Sequence, residues 1–257
     1  MCELFGANAK DSMQVNQYLQ EFYEHSVKHP HGWGLACMRG NEVMIEKEPM
    51  QASKSNYLKE RLKYPAEGLA VIGHIRYATI GNVEYKNCHP YIGMDQSGRR
   101  WTLAHNGTIF EFAPLHGYVQ KQMGDTDSER ILLYIIDQIN IAMEEKGGEL
   151  TGRERFILLD KIIVNMAKDN KLNLLIYDGE FFYVHTNYKN SLQMAYVKNG
   201  VLFSTQPLPS GFWRPVPFTQ LLAFAKGRLV EKGTVHGKEY IDSEENLNML
   251  YQIFSNL

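Results

Sequence analysis

The spacing of apolar residues predicts two helices early in the chain, the second of them short, and two long helices in the middle. In DSMQVNQYLQEFYEHSVKHP (11–30), apolar side chains recur at helical intervals, Asp11 or Ser12 is suited to cap the first turn, and Pro30 ends the pattern. The other helical patterns are KSNYLKERLKY (54–64), DSERILLYIIDQINIAMEEK (127–146) and GRERFILLDKIIVNMAKD (152–169), the last with a face of Ile157, Leu158, Ile162 and Met166.

Shorter apolar runs with turn signals between them predict β-strands. The predicted strands are WGLACMR (33–39), EVMIEKE (42–48), LAVIGHIRY (69–77) and RWTLAHNG (100–107), followed by the paired runs within 172–186, 192–205 and 221–230. Strands therefore come early, two helices lie in the middle, and strands return. This order predicts an α+β fold in which two antiparallel sheets pack together with helices outside, because a parallel βαβ fold would need regular alternation.

Composition limits the classes of function. The chain has 257 residues, 44% of them hydrophobic, and a formal net charge of −2, which argues against a dedicated nucleic-acid or membrane-surface binder. The longest apolar run, ILLYII (131–136), is far too short for a membrane span, and no signal peptide is recognised, so a cytoplasmic protein is expected. Without repeats or a linker, residues 2–257 are predicted to form a single domain. Three cysteines without close spacing indicate reduced thiols.

Cys2 directly follows the initiator methionine. A thiol attacks as the thiolate and needs a base. If Met1 is removed, which a small second residue favours, the α-amine of Cys2 becomes that base, since its pKa of roughly 8 is close to the value of about 8.5 for a thiol. The alternative is an ordinary buried cysteine, and position alone favours that alternative.

Three further segments carry candidate chemistry, each with a structural alternative. Arg76 has a planar guanidinium suited to a carboxylate, or it forms a structural salt bridge. Asn106 and the backbone N–H of Gly107 could form an oxyanion hole, or an ordinary Asn-Gly turn. Asp127 could hold a substrate ammonium group, with Asp125 as the local competitor; alternatively, Asp127 or Ser128 caps the helix that follows.

The stretch from His25 to Gly34 contains three histidines within seven residues, which raises the question of a metal site. No cysteine or carboxylate cluster accompanies His25, His29 and His31 in the sequence, so a solvated, turn-forming stretch is the favoured interpretation. We therefore expect no metal and no cofactor.

Taken together and in this order, the motifs resemble those of the class-II glutamine amidotransferases, which are N-terminal-nucleophile hydrolases. The resemblance rests on Cys2 after Met1 and on several short motifs. These motifs are HGWG (31–34), GHIRYATIG (73–81), HPY (89–91), AHNG (104–107) and TDSE (126–129). The opening MCELFG and the later LLIYDG and STQPL resemble the small stand-alone branch of the family. The resemblance implies a four-layer αββα sandwich, which agrees with the predicted order of elements.

The resemblance also implies a role for each matching residue. Cys2 matches the nucleophile, and Asn106 with Gly107 matches the oxyanion hole. Arg76 matches the arginine that binds the α-carboxylate of glutamine, with Tyr77 and Thr79 in the wall of the same pocket. Asp127 matches the carboxylate that holds the α-ammonium group of the substrate.

The chain departs from the family pattern at three points. His31 stands where relatives often carry an acidic residue, which puts any role of that acid in doubt. Ile80 stands where some relatives have a histidine, so that side chain cannot be required. The chain ends near residue 257, which leaves no room for the ammonia-using domain of the large members.

Three functions therefore remain open. The first is a glutaminase-type amidotransferase that releases ammonia from L-glutamine through a γ-glutamyl thioester, with room for a separate synthase subunit as acceptor. The second keeps the chemistry but hydrolyses another γ-glutamyl amide or peptide, as in the hydrolase of ergothioneine biosynthesis that the branch resembles. The third is a non-catalytic glutamine-binding regulatory protein, which would retain Met1.

Overall fold

The computed structural model describes residues 2–244, 246 and 248, so Met1 and the predicted domain end at Leu257 lie outside the described residues. The helices are α1 (Asn16–Glu24), α2 (Asn56–Arg61), α3 (Asp127–Lys146) and α4 (Gly152–Met166). The strands are β1 (Glu3–Gln14), β2 (Trp33–Arg39), β3 (Glu42–Glu48), β4 (Glu67–Ile75), β5 (Tyr91–Met94), β6 (Arg100–Thr108), β7 (Lys171–Tyr177), β8 (Phe182–His185), β9 (Gln193–Val197), β10 (Gly200–Ser204), β11 (Arg214–Pro215), β12 (Leu222–Ala225) and β13 (Arg228–Lys232).

The described strands form two antiparallel sheets. Sheet A has seven strands in the order β11-β9-β10-β1-β4-β2-β3, and sheet B has six in the order β13-β12-β8-β7-β6-β5. In sheet A, β1 lies between β10 and β4, with Phe5 opposite Ser204 on one side and Gly73 on the other. The N-terminal strand is therefore held on both edges by segments distant in sequence.

Apolar side chains cover both faces of each sheet. One cluster, which includes Leu4, Ile72 and Leu175, fills the space between the sheets. A second packs α3 and α4 against the outer face of sheet B, and a third packs α1 and α2 against the outer face of sheet A. These layers confirm the predicted α+β class and the αββα sandwich. No helix in the described part of the chain is both long and apolar enough to cross a membrane.

The predicted helix over 11–30 is wrong at its start. After an irregularity in register, Met13 and Gln14 still pair with Gly68 and Glu67, so β1 continues to residue 14. Helix α1 begins only at Asn16, and Val15 occupies the capping position without a side-chain hydrogen bond, so neither Asp11 nor Ser12 caps it. In this segment, pairing with the distant strand β4 overrides the helical preference of the local sequence.

Two other local predictions also need correction. Thr126 caps α3 by accepting from the backbone N–H of Glu129, whereas Asp127 and Ser128 are the first residues of the helix. On α4 the inward face is shifted from the predicted one: Ile157 is 45% exposed, while Phe156 and Leu159 are buried. The other predicted strands and hairpins are present.

Two connections cross from one sheet to the other at the same end of the sandwich. Residues 76–90, here the first crossing loop, lead from β4 in sheet A to β5 in sheet B. Residues 186–192, the second crossing loop, lead from β8 in sheet B to β9 in sheet A. The space between the two sheets is here called the cleft. Cys2 directly precedes β1 at this end of the sandwich, so the two loops border the cleft near this cysteine.

Candidate active site

Cys2 directly precedes β1 and belongs to the row of residues that face sheet B. Alternate residues share one face of a strand, and Leu4 of this row packs between the sheets. The partly exposed Cys2 donates its thiol to the backbone carbonyl of Tyr77, with an Sγ–O distance of 3.4 Å. Burial of the sulfur raises the pKa of the Cys2 thiol above its ordinary value. The resting sulfur is therefore protonated at neutral pH and needs a base before it can attack.

The next residue, Glu3, anchors the beginning of β1. Its carboxylate accepts from His25 Nδ1 at 2.8 Å and from His29 Nε2 at 3.0 Å. Burial alone would raise the pKa of Glu3, but the two histidine hydrogen bonds prevail and lower it to about 2. The same contact raises the pKa of His25. No sequence pattern predicts this cluster, because its three members become neighbours only when α1 packs on sheet A.

The cluster corrects the interpretation of the histidine stretch as solvated. His29 is 8% exposed, and its ring is bonded to Glu3. His31 accepts from the backbone N–H of Ala78 through Nδ1 at 2.9 Å, so it stabilises the first crossing loop. Burial, helped by the nearby Arg76 guanidinium, lowers the pKa of His31, which therefore stays neutral. Among the residues that the structure describes, no group of three His, Cys, Asp or Glu side chains could hold a metal ion.

Arg76 follows β4 and is 2% exposed. Its guanidinium donates to three carbonyls of the first crossing loop: Asn82 through Nη1 at 2.8 Å, and Ile80 and Gly81 through Nη2 at 2.9 and 2.8 Å. The predicted alternative of a structural salt bridge is not found among its described partners, which are carbonyl oxygens. Arg76 therefore organises the loop that carries Tyr77 and Thr79, and it brings a positive charge to the cleft.

Asn106 and Gly107 lie within β6, not in the turn that their composition suggests. They pair with Asn173 and Leu172 of β7. Asn106 is 5% exposed, and its Oδ1 atom has no hydrogen-bond partner in the described structure. A Cβ at Gly107 would lie 1.9 Å from the carbonyl oxygen of Lys171. Glycine is therefore required there by the close approach of β7.

Asp127 begins α3 and is 5% exposed. Its Oδ2 atom accepts from the backbone N–H of Ile109 at 2.8 Å, and its Oδ1 atom accepts from the Ser128 hydroxyl at 3.2 Å. Asp127 thereby ties the start of the helix to the segment that follows β6. The competitor Asp125 lies outside this arrangement, where it contacts Asn87 and Lys86.

Three of the predicted site residues, Cys2, Arg76 and Asp127, influence one another electrostatically. The Arg76 guanidinium lowers the pKa of the Cys2 thiol and the Asp127 carboxylate raises it, both to a lesser extent than burial does. Asn106 is on the face of β6 that carries Ala104, which packs between the sheets, so it also faces the cleft. A cation and an anion therefore act on the thiol, and the Asn106 amide is turned toward the same cleft.

Comparison with known proteins shows the family to which the chain belongs. The family of class-II glutamine amidotransferases matches residues 1–200 of the chain, and the chain belongs to this family. A relative from Methanocaldococcus jannaschii, described as an uncharacterised protein, is 26% identical over 260 residues, covering 90% of this chain and 71% of its own length.

Solved structures share the fold. A protein from Pseudomonas aeruginosa described as a predicted glutamine amidotransferase is 21% identical with a TM-score of 0.64, and the match covers 90% of this chain and all of that one (100%). Glutamine phosphoribosylpyrophosphate amidotransferase from Bacillus subtilis is 17% identical with a TM-score of 0.67. That match covers 91% of this chain but 49% of the Bacillus protein, so the chain corresponds to about half of that enzyme.

Proposed function

We propose that the protein hydrolyses the γ-amide of L-glutamine, or of a related γ-glutamyl compound, with Cys2 as the nucleophile. The observation that carries this proposal is that the opposite charges of Arg76 and Asp127 both act on the Cys2 thiol. A free amino acid carries the complementary pair of charges, a carboxylate and an ammonium group. Family membership supports the same chemistry.

In the proposed reaction, Arg76 binds the α-carboxylate of the substrate and Asp127 binds its α-ammonium group. Tyr77 and Thr79 form the wall of this pocket on the first crossing loop. These two charge-assisted contacts hold the α-carbon end of the substrate and so orient its γ-carbonyl toward the sulfur. Such positioning is itself a large part of catalysis.

Removal of Met1 frees the α-amine of Cys2, which accepts the thiol proton directly or through a water molecule. The sulfur forms a bond to the γ-carbonyl carbon, and the side-chain amide of Asn106 and the N–H of Gly107 stabilise the oxyanion. One such donor is typically worth about 3 kcal/mol. The C–N bond then breaks, the leaving nitrogen takes the proton from the amine, and ammonia departs.

Water then attacks the γ-glutamyl thioester. The C–S bond breaks, the sulfur recovers its proton, and glutamate leaves. With an amide other than glutamine, an amine leaves in place of ammonia and every other step is unchanged. We propose that the chain acts as a single catalytic domain in the cytoplasm, and that any synthase using the ammonia is a separate subunit.

The proposal is tested with protein whose intact mass shows that Met1 is absent. Such protein should release glutamate from glutamine or from a γ-glutamyl amide, and Cys2→Ala should abolish the release. Cys37→Ala is the matched control, because Cys37 is also a free thiol but packs on the opposite side of sheet A. Glutamine binding without turnover by the processed protein would instead support the non-catalytic regulatory function.

A further inference from the structure

Lys171, the first residue of β7, carries a buried ammonium group without a hydrogen-bond acceptor. The residue is 2% exposed, and its Nζ atom has no hydrogen-bond partner among the described residues. The ammonium lies 3.3 Å from the centroid of the Tyr188 ring and 5.6 Å from that of Tyr240. Aromatic faces attract a cation, but they leave its three N–H donors unsatisfied. Buried donors of this kind normally have an acceptor.

The position of Lys171 connects it to the cleft. Lys171 is opposite Thr108 in the register of β6 and β7, and Asn173 is opposite Asn106. Lys171 and Asn173 are two residues apart on one strand, so they share a face and their Cα atoms are about 7 Å apart. That face is turned toward sheet A, because Leu175, the next residue of the row, packs between the sheets. Lys171 is therefore a diagonal neighbour of Asn106 on the same face of sheet B.

The second crossing loop covers the ammonium through Tyr188. Tyr188 of this loop donates its hydroxyl to Asp242 at 2.8 Å. Burial lowers the pKa of Lys171 to about 8, although the Asp242 carboxylate acts in the opposite direction. The group is thus still mainly protonated at neutral pH, and it is a buried cation on the face of β7 that is turned toward sheet A.

We propose that Lys171 binds a carboxylate on the leaving-group side of the substrate, and that the preferred substrates are γ-glutamyl amides of amino acids. This inference rests on the proposed function, in which Arg76 and Asp127 already hold the α-carboxylate and the α-ammonium group. The Lys171 ammonium under the second crossing loop is then available to bind the leaving-group end of the substrate. Glutamine itself releases ammonia, which has no group for Lys171 to bind.

The test compares γ-glutamylglycine with γ-glutamylglycinamide, which differ only in the carboxylate of the leaving group. With protein that begins at Cys2, we expect kcat/KM to be at least about tenfold higher for the acid, since a hydrogen bond to a charged group is worth about 1.5–3 kcal/mol. Lys171→Met should bring the ratio of the two kcat/KM values close to one, and Lys171→Arg should keep a clear preference for the acid. Lys168→Met, which removes an exposed lysine shortly before β7, is the control.

The outcomes separate the two proposals. The decisive quantity is kcat/KM for γ-glutamylglycine divided by kcat/KM for γ-glutamylglycinamide. A value near one in the wild-type protein, or a tenfold value that persists in Lys171→Met, overturns the role of Lys171 while the proposed function stands. Absence of turnover with both dipeptides and with glutamine overturns the proposed function, and the role of Lys171 with it. The ratio of the two kcat/KM values can be measured on the wild-type protein alone. The inference therefore remains testable even if Lys171→Met does not fold.

Discussion

The Cys2 thiol donates to the backbone carbonyl of Tyr77, which is the residue directly after Arg76. This contact joins the start of β1 to the first crossing loop. The loop that is proposed to bind the α-carboxylate of the substrate therefore also contacts the proposed nucleophile. Movements of this loop would change substrate binding and sulfur position together.

Replacement of Arg76 should mainly impair substrate capture. In Arg76→Lys, a single ammonium group cannot satisfy three loop carbonyls and a carboxylate together, so we expect KM for glutamine to rise at least tenfold. Steady-state kinetics measures this change. Arg39→Lys is a suitable control because Arg39 is exposed and pairs with Glu67 at the far end of sheet A. An unchanged KM in Arg76→Lys would contradict the assignment of the carboxylate pocket.

Asn106→Ala should lower kcat about 100-fold to 1,000-fold while KM changes little, because an oxyanion donor acts mainly in the transition state. The comparison uses kcat and KM measured for the same amide substrate. Thr102→Ala serves as a control, since Thr102 is another buried polar residue of β6, nearer its opposite end. A rise in KM with an unchanged kcat would mean that Asn106 binds substrate and does not stabilise the oxyanion.

Gly107→Ala should destabilise the fold by about 3 kcal/mol, because its methyl group would overlap the Lys171 carbonyl and the ring of His105. Thermal or denaturant unfolding measures the loss. Gly148→Ala is the matched control, since a Cβ there has no neighbour within 4 Å. Equal stabilities of the two variants would show that β7 can move away from β6 without cost.

Glu3→Gln should lower the free energy of unfolding by about 2 kcal/mol through the loss of its bonds to His25 and His29. The pKa of Glu3 falls from an ordinary 4.5 to about 2 on folding, so its stabilising effect is present above pH 4.5 and is lost toward pH 2. The pKa of His25 is raised from 6.5, so its contribution is present below pH 6.5 and is lost as pH rises through the folded value.

The difference between wild type and Glu3→Gln should therefore be largest between about pH 4.5 and 6.5. Urea unfolding at a series of pH values measures it. Glu60→Gln is the control, because Glu60 forms only an exposed pair with Lys63. A difference that does not vary between pH 4.5 and 8 would contradict the charged cluster.

The long amphipathic helices and the hairpins are predictable from the sequence, because both follow from short-range periodicity and turn residues. Strand β1 is not, since LFGANAK contains Gly, Asn and Ala, which have weak strand preference, and the strand depends on β4 and β10 for pairing. The pair Asn106-Gly107 is compatible with a turn for the same reason: the partner strand β7 begins more than sixty residues later.

Within the site, the motifs identified groups with recognisable chemistry, such as Cys2, Arg76 and Asp127. They did not identify the Glu3 cluster or Lys171. A glutamate and two histidines spaced over 26 residues have no characteristic spacing. A single lysine before an apolar strand is ordinary in sequence, and only its burial distinguishes it.

The position of β1 between β4 and β10 has a consequence for synthesis. Residues 2–5 leave the ribosome first, yet Phe5 pairs with Ser204, about 200 residues later in the chain. Until β10 has been translated, the first strand lacks one of its two neighbours, and the proposed nucleophile before it lacks a rigid support. The native placement of Cys2 therefore depends on the synthesis of about 200 further residues, and a chain terminated before β10 would carry this cysteine without that support.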